Sequence, residues 1–344
     1  MPKYSELFYE LEEFSEKSWQ FGNPLILNSH VDGNLDLIAS ARYFEDTKFG
    51  MLNGDWTVHP SMLVASSSTQ GRIAILNMTK LHGLYKDLQL SARINGSSVN
   101  SLIDKVILVG DPNLSNYYHF LIDILPRVLF CIKHFPDYTV LLPASALQYK
   151  FAVELLNIYR LFTQNIRFVS TPVLVRNPVC IYNMPYSDRI GLLRSSLSDG
   201  LLPNMLIGNE ERRRVYVDRG ANATRQGSLS PKIVDLICGN GFVTVDFSKY
   251  TVSEQILIAS RSSCLIGLHG AGLVNSIFMD SAKSPIVVDL IPATHPAFEI
   301  CAVSTALGIH YQRIIMKYGT DNFLDFAQQE PLIEPLIELL LSRP

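Results

Sequence analysis

Ser263-Cys-Leu-Ile-Gly-Leu-His269-Gly270-Ala271-Gly272-Leu273-Val-Asn275-Ser-Ile-Phe278 joins a wholly apolar run to a glycine-rich turn and then to a second apolar segment. The run from Cys264 to Leu268 suits a parallel strand covered on both faces. A helix opening near Gly272 leaves backbone N–H groups pointing into the turn, beside the positive end of the helix dipole. Such a place holds an anion, and phosphate is the usual one. His269 adds a side-chain donor, while Gly270 and Gly272 lack the Cβ atoms that would hold a ligand off the backbone. The plainer alternative is that the glycines only allow a tight turn. Their spacing does not match the dinucleotide fingerprint, and no Gly-Lys-Ser/Thr ending follows, so dehydrogenase and P-loop chemistries lose ground.

A strand-helix rhythm surrounds this motif. From Arg214 it predicts strands at Val215–Val217, Phe242–Phe247, Cys264–Leu268, Pro285–Ile291 and Tyr311–Ile315, with helices from Pro231, from Val252, through Met279 and over Ala297–Leu307. This is the pattern of a parallel, Rossmann-like sheet. A second rhythm predicts strands at Lys105–Val109 and Tyr138–Leu142, with helices from Ser115 to His134 and from Ser145 to Tyr159. The expected fold class is therefore α/β, with two tandem Rossmann-like domains.

The reading divides the chain into an N-terminal domain over 1–190, a linker over 191–212, a C-terminal nucleotide-binding domain over 213–325 and a closing helix over 326–344. The linker overlaps the Ser-, Gly- and charge-rich stretch from Tyr186 to Glu211. The closing helix carries an apolar stripe expected to pack back across the domains; its polar face bears Glu rather than Lys or Arg, which makes peripheral membrane contact the lesser reading.

Bulk properties narrow the classes further. A chain of 344 residues can bury two cores. The net charge of −3, with Lys and Arg scattered, leaves no footprint for nucleic acid. Five cysteines lie far apart, mostly in apolar runs, and read as reduced core residues. No apolar signal core or membrane-length stretch is present, so a cytoplasmic location is expected and the sequons at Asn77, Asn95 and Asn222 are discounted.

Four polar residues recur on one face of an otherwise apolar helix: Asn116, His119, Asp123 and Arg127. A polar stripe there must face a cleft or satisfy itself internally. An ordinary Asp123–Arg127 ion pair would explain two of the four. A carboxylate one turn from an imidazole orients it and raises its basicity, so His119 is the candidate general base and Asp123 the second choice. Arg219 and Arg225 flank the loop after the Val215 strand and suit bidentate phosphate binding. Asp289, read as a strand end on the same rim, is a candidate acceptor for ribose hydroxyls. Glu254, in a first helical turn, reads more readily as a dipole partner. No Asp-x-Asp pair or metal-spaced histidines occur, so no metal cofactor is expected.

With Asn116-Tyr-Tyr-His119-Phe-Leu-Ile-Asp123-Ile-Leu-Pro-Arg127, then Val217-Asp-Arg219 with Arg225, Glu254-Gln255, and Gly267-Leu-His269-Gly-Ala-Gly-Leu-Val-Asn275, the order and spacing resemble glycosyltransferase family 61. The resemblance spans roughly the last two thirds of the chain. It implies a two-domain GT-B architecture, an inverting reaction and no required metal. It further implies a nucleoside diphosphate sugar donor, of the UDP-xylose or UDP-N-acetylglucosamine kind, and a glycan hydroxyl as acceptor. His269, Gly270, Ala271, Gly272, Leu273, Arg219, Arg225 and Asp289 would form the donor site, supported by Asn275 and Glu254, with Asn116 and Arg127 beside the base. Asp218 and Asp289 depart from the family's usual Ser and Glu. The same architecture also serves nucleotide-sugar epimerases and hydrolases, or a silent partner in a polysaccharide assembly complex.

Overall fold

Near-continuous apolar runs in the C-terminal half build one parallel sheet, as expected of strands buried on both faces. The computed structural model describes residues 25–28, 41–44, 47–52, 54–62, 64–67, 72–75, 102–111, 113–198, 213–219, 229–292, 299–318 and 324–325. Arg225, residues 199–212 of the expected linker and the expected closing helix over 326–344 lie outside them. The chain divides into two units, Met1–Ser196 and Leu197–Pro344.

In the C-terminal unit the sheet runs Phe242–Asp246, Arg213–Asp218, Ser262–Leu268, Ile286–Pro292, His310–Tyr318 and Leu324–Asp325. All neighbours are parallel except the last pair. Counted along the chain, the five parallel strands lie in the order 2-1-3-4-5. The order reverses between Arg213–Asp218 and Ser262–Leu268, and the crevice at the carboxyl ends of such a pair is where doubly wound sheets bind ligands. Tyr216, Ile233, Ile237, Ile266, Val288 and Ile314 belong to the core on the sheet. The helix Val252–Ser260 starts at a capping box: the Glu254 N–H donates to Thr251 Oγ1 (3.3 Å) and the Thr251 N–H donates to Glu254 Oε2 (2.7 Å).

The N-terminal unit corrects the expectation of a second plain Rossmann-like sheet. One sheet orders Ile166–Val169, Thr139–Pro143, Val106–Leu108, Val179–Asn183, Thr47–Met51 and Ala41–Phe44; the first four strands are parallel and the last two join antiparallel. The other orders Leu25–Asn28, Arg72–Ile75, Val64–Ser67, Asp55–Val58, Val173–Arg176 and Leu102–Ile103, antiparallel except for its last pair. The cause is legible in Asp55–Val58, where Trp56 and Val58 are buried while Asp55 and Thr57 are partly exposed, the alternation of a strand with one covered face.

The expected long helix is present but not uniform. It runs as α-helix over Tyr117–His119, as a π-helical stretch over Phe120–Ile124 and as α-helix over Leu125–His134. The segment read as linker is itself helical from Tyr186 to Ser198. The five cysteines are free. No helix among the described residues is long and apolar enough to cross a membrane.

Candidate functional site

The C-terminal turn follows the Ser262–Leu268 strand directly. Gly270 is extended, at φ 169°, and a 3-10 helix, not an α-helix, covers Ala271–Phe278. No side chain caps that helix. Gly270, Ala271 and Gly272 are partly exposed between two buried segments. The neighbouring amides are spent: the His269 N–H donates to Leu290 O (2.8 Å) and the Leu273 N–H to Gly270 O (3.1 Å). The Leu273 side chain is also fully buried. Asn275 braces the turn from beneath, donating through Nδ2 to Gly272 O (3.2 Å) and to Gln255 Oε1 (3.1 Å). Gln255 in turn donates to Phe247 O (3.0 Å) and Tyr250 O (3.1 Å).

The glycines serve packing more than the sequence suggests. A Cβ on Gly267 would lie 2.7 Å from Val217 O, and one on Gly272 would lie 2.8 Å from Val217 Cγ1. The atoms they make room for belong to the adjacent strand. Gly270 differs, since its Cβ would meet the Arg219 guanidinium at 3.3 Å. Arg219 lies along the turn and donates through Nη2 to the His269 carbonyl. The structure thus brings Arg219, His269 and the Gly270–Gly272 amides together at the strand-order reversal.

Asp289 sits inside the Ile286–Pro292 strand rather than at its end, and it is fully buried. Its Oδ2 lies 3.0 Å from His269 Nδ1 and accepts the Tyr311 hydroxyl at 3.0 Å, while Oδ1 has no partner among the described residues. Burial, then the Asp289 charge and this hydrogen bond, push the Tyr311 phenol well above its usual range. Asp289 thus lies sealed against His269, where a carboxylate can orient an imidazole, and not at the exposed strand end that the ribose reading expected. His269 Nε2 faces Glu299 Oε2 at 3.8 Å. Glu254 belongs to the capping box described above, and Arg225 lies outside the described residues.

The N-terminal unit holds the other set. The Asn116 side chain caps the helix, accepting from the Tyr118 N–H (2.9 Å). Across the π-helical stretch, His119 Nδ1 and Asp123 Oδ2 approach to 2.7 Å. Burial pushes the Asp123 carboxyl up, but the His119 hydrogen bond and the charges of Arg189 and Arg127 outweigh it and hold the group below its usual value. An ionised carboxylate only accepts, so His119 Nδ1–H is the donor, and the neutral tautomer this selects is the one with its lone pair on Nε2, the form a general base needs.

Arg127, which an ordinary ion pair would place on Asp123, is buried and makes no hydrogen bond through Nε among the described residues. Arg189, from the helix read as linker, occupies Asp123 Oδ1 instead. Its Nε donates to Met184 O (2.7 Å), and its guanidinium lies 4.9 Å from the centre of the Tyr186 ring. Tyr186 OH and Tyr118 OH are 2.8 Å apart.

Asp111, absent from the sequence reading, completes the group. It is buried, accepts the Asn113 N–H at 2.8 Å, and is raised above its usual value by burial, against that bond and with the Asp123 charge adding to the rise. One ligand atom each from Asp111, His119 and Asp123 falls within 4.8 Å of the others, a spacing that can hold a cation. Two carboxylates there face two guanidiniums, however, and both Asp123 oxygens are engaged.

No curated protein matches this chain. Residues 117–286 match the family model of Glycosyltransferase 61, a span running from the first turn of the His119 helix to the start of the Asp289 strand. Over that span, the chain is similar to glycosyltransferase family 61.

Proposed function

We propose that the protein is an inverting, metal-independent glycosyltransferase that moves a sugar from a nucleoside diphosphate donor, a UDP-sugar, to a hydroxyl of a glycan acceptor. The match to the family model supports the transferase class and, in general terms, a nucleotide-sugar donor with a glycan acceptor. The observation that carries the reading is the placing of Arg219 and His269 after neighbouring strands, at the reversal of strand order, beside partly exposed and uncapped amides at Gly270–Gly272.

In this reading the diphosphate lies on those amides, with Arg219 across its oxygens and His269 held from behind by Asp289. As the bond from the anomeric carbon to the diphosphate oxygen breaks, its electron pair goes to that oxygen. The fixed donors stabilise the growing charge more than they stabilise the bound ground state. His119 takes the acceptor hydroxyl proton on Nε2 while the acceptor oxygen forms the new bond on the opposite face of the same carbon, which inverts its configuration. Asp123 orients the imidazole and stabilises the imidazolium formed. The Arg127 and Arg189 guanidiniums opposite Asp111 and Asp123 are the reason to read this cluster as a base assembly rather than a metal centre.

The test incubates UDP-N-acetylglucosamine or UDP-xylose with a panel of glycan acceptors in EDTA, and reads the anomeric configuration of the product by NMR. Transfer in chelator with inversion is expected. Activity that requires a divalent ion, or a product of retained configuration, overturns the mechanism; donor hydrolysis that no acceptor diverts would assign the site to a hydrolase.

A further inference from the structure

The helix Tyr186–Ser198 sends one cation, Arg189, into the group around His119. Its guanidinium is fixed at three points: Nη1 donates to Asp123 Oδ1, Nε donates to Met184 O at 2.7 Å, and the planar group lies over the Tyr186 ring. Tyr186 is tied through its hydroxyl to Tyr118, the residue before His119. Arg189 and Asp123 have side-chain exposures of 12% and 14%, so solvent screens their pairing only weakly. A cation whose only task was to anchor this helix would need neither the ring beneath it nor the carboxylate oxygen opposite the one that meets the imidazole.

We infer that Arg189 is a positioning residue for the base: by holding Asp123 Oδ1 it directs Oδ2 onto His119 Nδ1, and by sharing the carboxylate's charge it keeps His119 able to accept a proton. The inference rests on the proposed role of His119, and its chemistry is electrostatic. An unshared Asp123 charge would favour the imidazolium, which cannot act as a base. The charged groups around His119 and Asp123 are Asp111 from the loop after Val106–Leu108, Arg127 from the same helix and Arg189 from the Tyr186 helix; Tyr118 and Tyr186 are their titratable neighbours. Of the two cations, Arg189 is the one hydrogen-bonded to the carboxylate that meets His119.

The experiment follows the His119 ring signals by NMR across pH in the full-length protein, in the wild type and in the Arg189→Gln and Arg189→Lys variants, with His119→Asn assigning the resonance. The His119 titration midpoint is expected to rise by about one pH unit in Arg189→Gln, the size typical of losing one compensating charge within a few ångström. It should return most of the way toward wild type in Arg189→Lys, which restores the charge without the planar fork. UDP release from UDP-N-acetylglucosamine should show the same displacement of its acid limb to higher pH in Arg189→Gln, with the thermal shift given by UDP unchanged. A merely structural arginine would lower the unfolding temperature and leave the midpoint in place. An unmoved or lowered midpoint in folded Arg189→Gln overturns the inference, whatever the activity. A raised midpoint in a protein that neither binds UDP nor releases it would leave the positioning role standing and remove the proposed reaction.

Discussion

The three glycines of the turn should separate cleanly when each is replaced by alanine, because their neighbours differ in how far they can give. In Gly267→Ala the new methyl meets Val217 O at 2.7 Å, and Val217 is also the strand partner of residue 267, so neither backbone can retreat without breaking the ladder. Overpacking against an immobile neighbour costs about 3 kcal/mol or more. In Gly272→Ala the obstacle is Val217 Cγ1 at 2.8 Å, a side-chain atom that can rotate away into a poorer rotamer, for about 1–2 kcal/mol. In Gly270→Ala the methyl meets the end of a long side chain, Arg219 Nη2 at 3.3 Å, and backbone strain does not arise because the residue is extended. Stability should hardly change there, but the Arg219 guanidinium must give way from the turn where it would meet a diphosphate, and losing one charge-assisted contact to that group is about tenfold or more in affinity. Chemical denaturation and UDP calorimetry on the three variants read both quantities. At roughly 2–4 °C per kcal/mol for a unit of this size, Gly267→Ala should melt about 6–12 °C low, while Gly270→Ala melts normally and binds UDP weakly. A Gly267→Ala protein as stable as wild type would refute the packing argument. A Gly270→Ala protein that binds UDP normally would remove Arg219 from the diphosphate.

Three further outcomes follow from the same geometry. Asp289→Asn should weaken UDP binding several-fold while leaving His119 chemistry untouched, since an amide no longer fixes the His269 tautomer; equal affinity by calorimetry would make Asp289 a packing residue only. Asp111 and Asp123 should act oppositely with pH. Asp123, held below 3.8, stabilises the fold fully above that value and loses its contribution as pH falls through the lower folded-state value, so Asp123→Asn should cost stability at pH 7 and little under strongly acid conditions. Asp111, raised above 3.8, contributes most when protonated, so Asp111→Asn should be relatively more stable at pH 7 than at pH 3; denaturation midpoints at both pH values that fail to diverge would contradict both assignments. Thr251→Ala should remove about 1 kcal/mol of stability with UDP affinity preserved, and a loss of affinity would return Glu254 to the donor site.

The parts of the fold legible from sequence are those where one physical constraint dominates. Strands such as Ser262–Leu268 and Ile286–Pro292 are covered on both faces and so read as unbroken apolar runs, and the His269 turn stood out because its glycines interrupt one. Asp289 misled for the same reason. A single carboxylate in an apolar run looks like the point where a strand reaches solvent, whereas here the run continues to Pro292 and the charge is met by His269 and Tyr311 from below. Arg189 was hidden by composition: Tyr-Ser-Asp-Arg-Ile-Gly-Leu-Leu-Arg-Ser-Ser has the serines and glycine of a connector, and only its tertiary partners make it a helix with a half-buried cation. Asp111, in Gly-Asp-Pro-Asn, carries the letters of a turn. The antiparallel pairing of the first hundred residues was not foreseen because short alternating strands fix no partner by themselves.

The π-helical stretch at Phe120–Ile124 has a consequence for how this helix is compared with its relatives. Such a stretch fits one more residue into the backbone spiral than the α-helical repeat would, so removing one residue there would close it into a regular α-helix and leave everything beyond it on its present bearing. A regular helix with the same number of residues would instead turn Arg127, Phe130 and Cys131 by about 100° off the bearings they now hold, though each would keep its neighbours in the chain. Where a relative has a regular helix at this place, correct alignment demands a one-residue gap within 120–124, and a graft of the helix that ignores it would deliver the right letters to the wrong side.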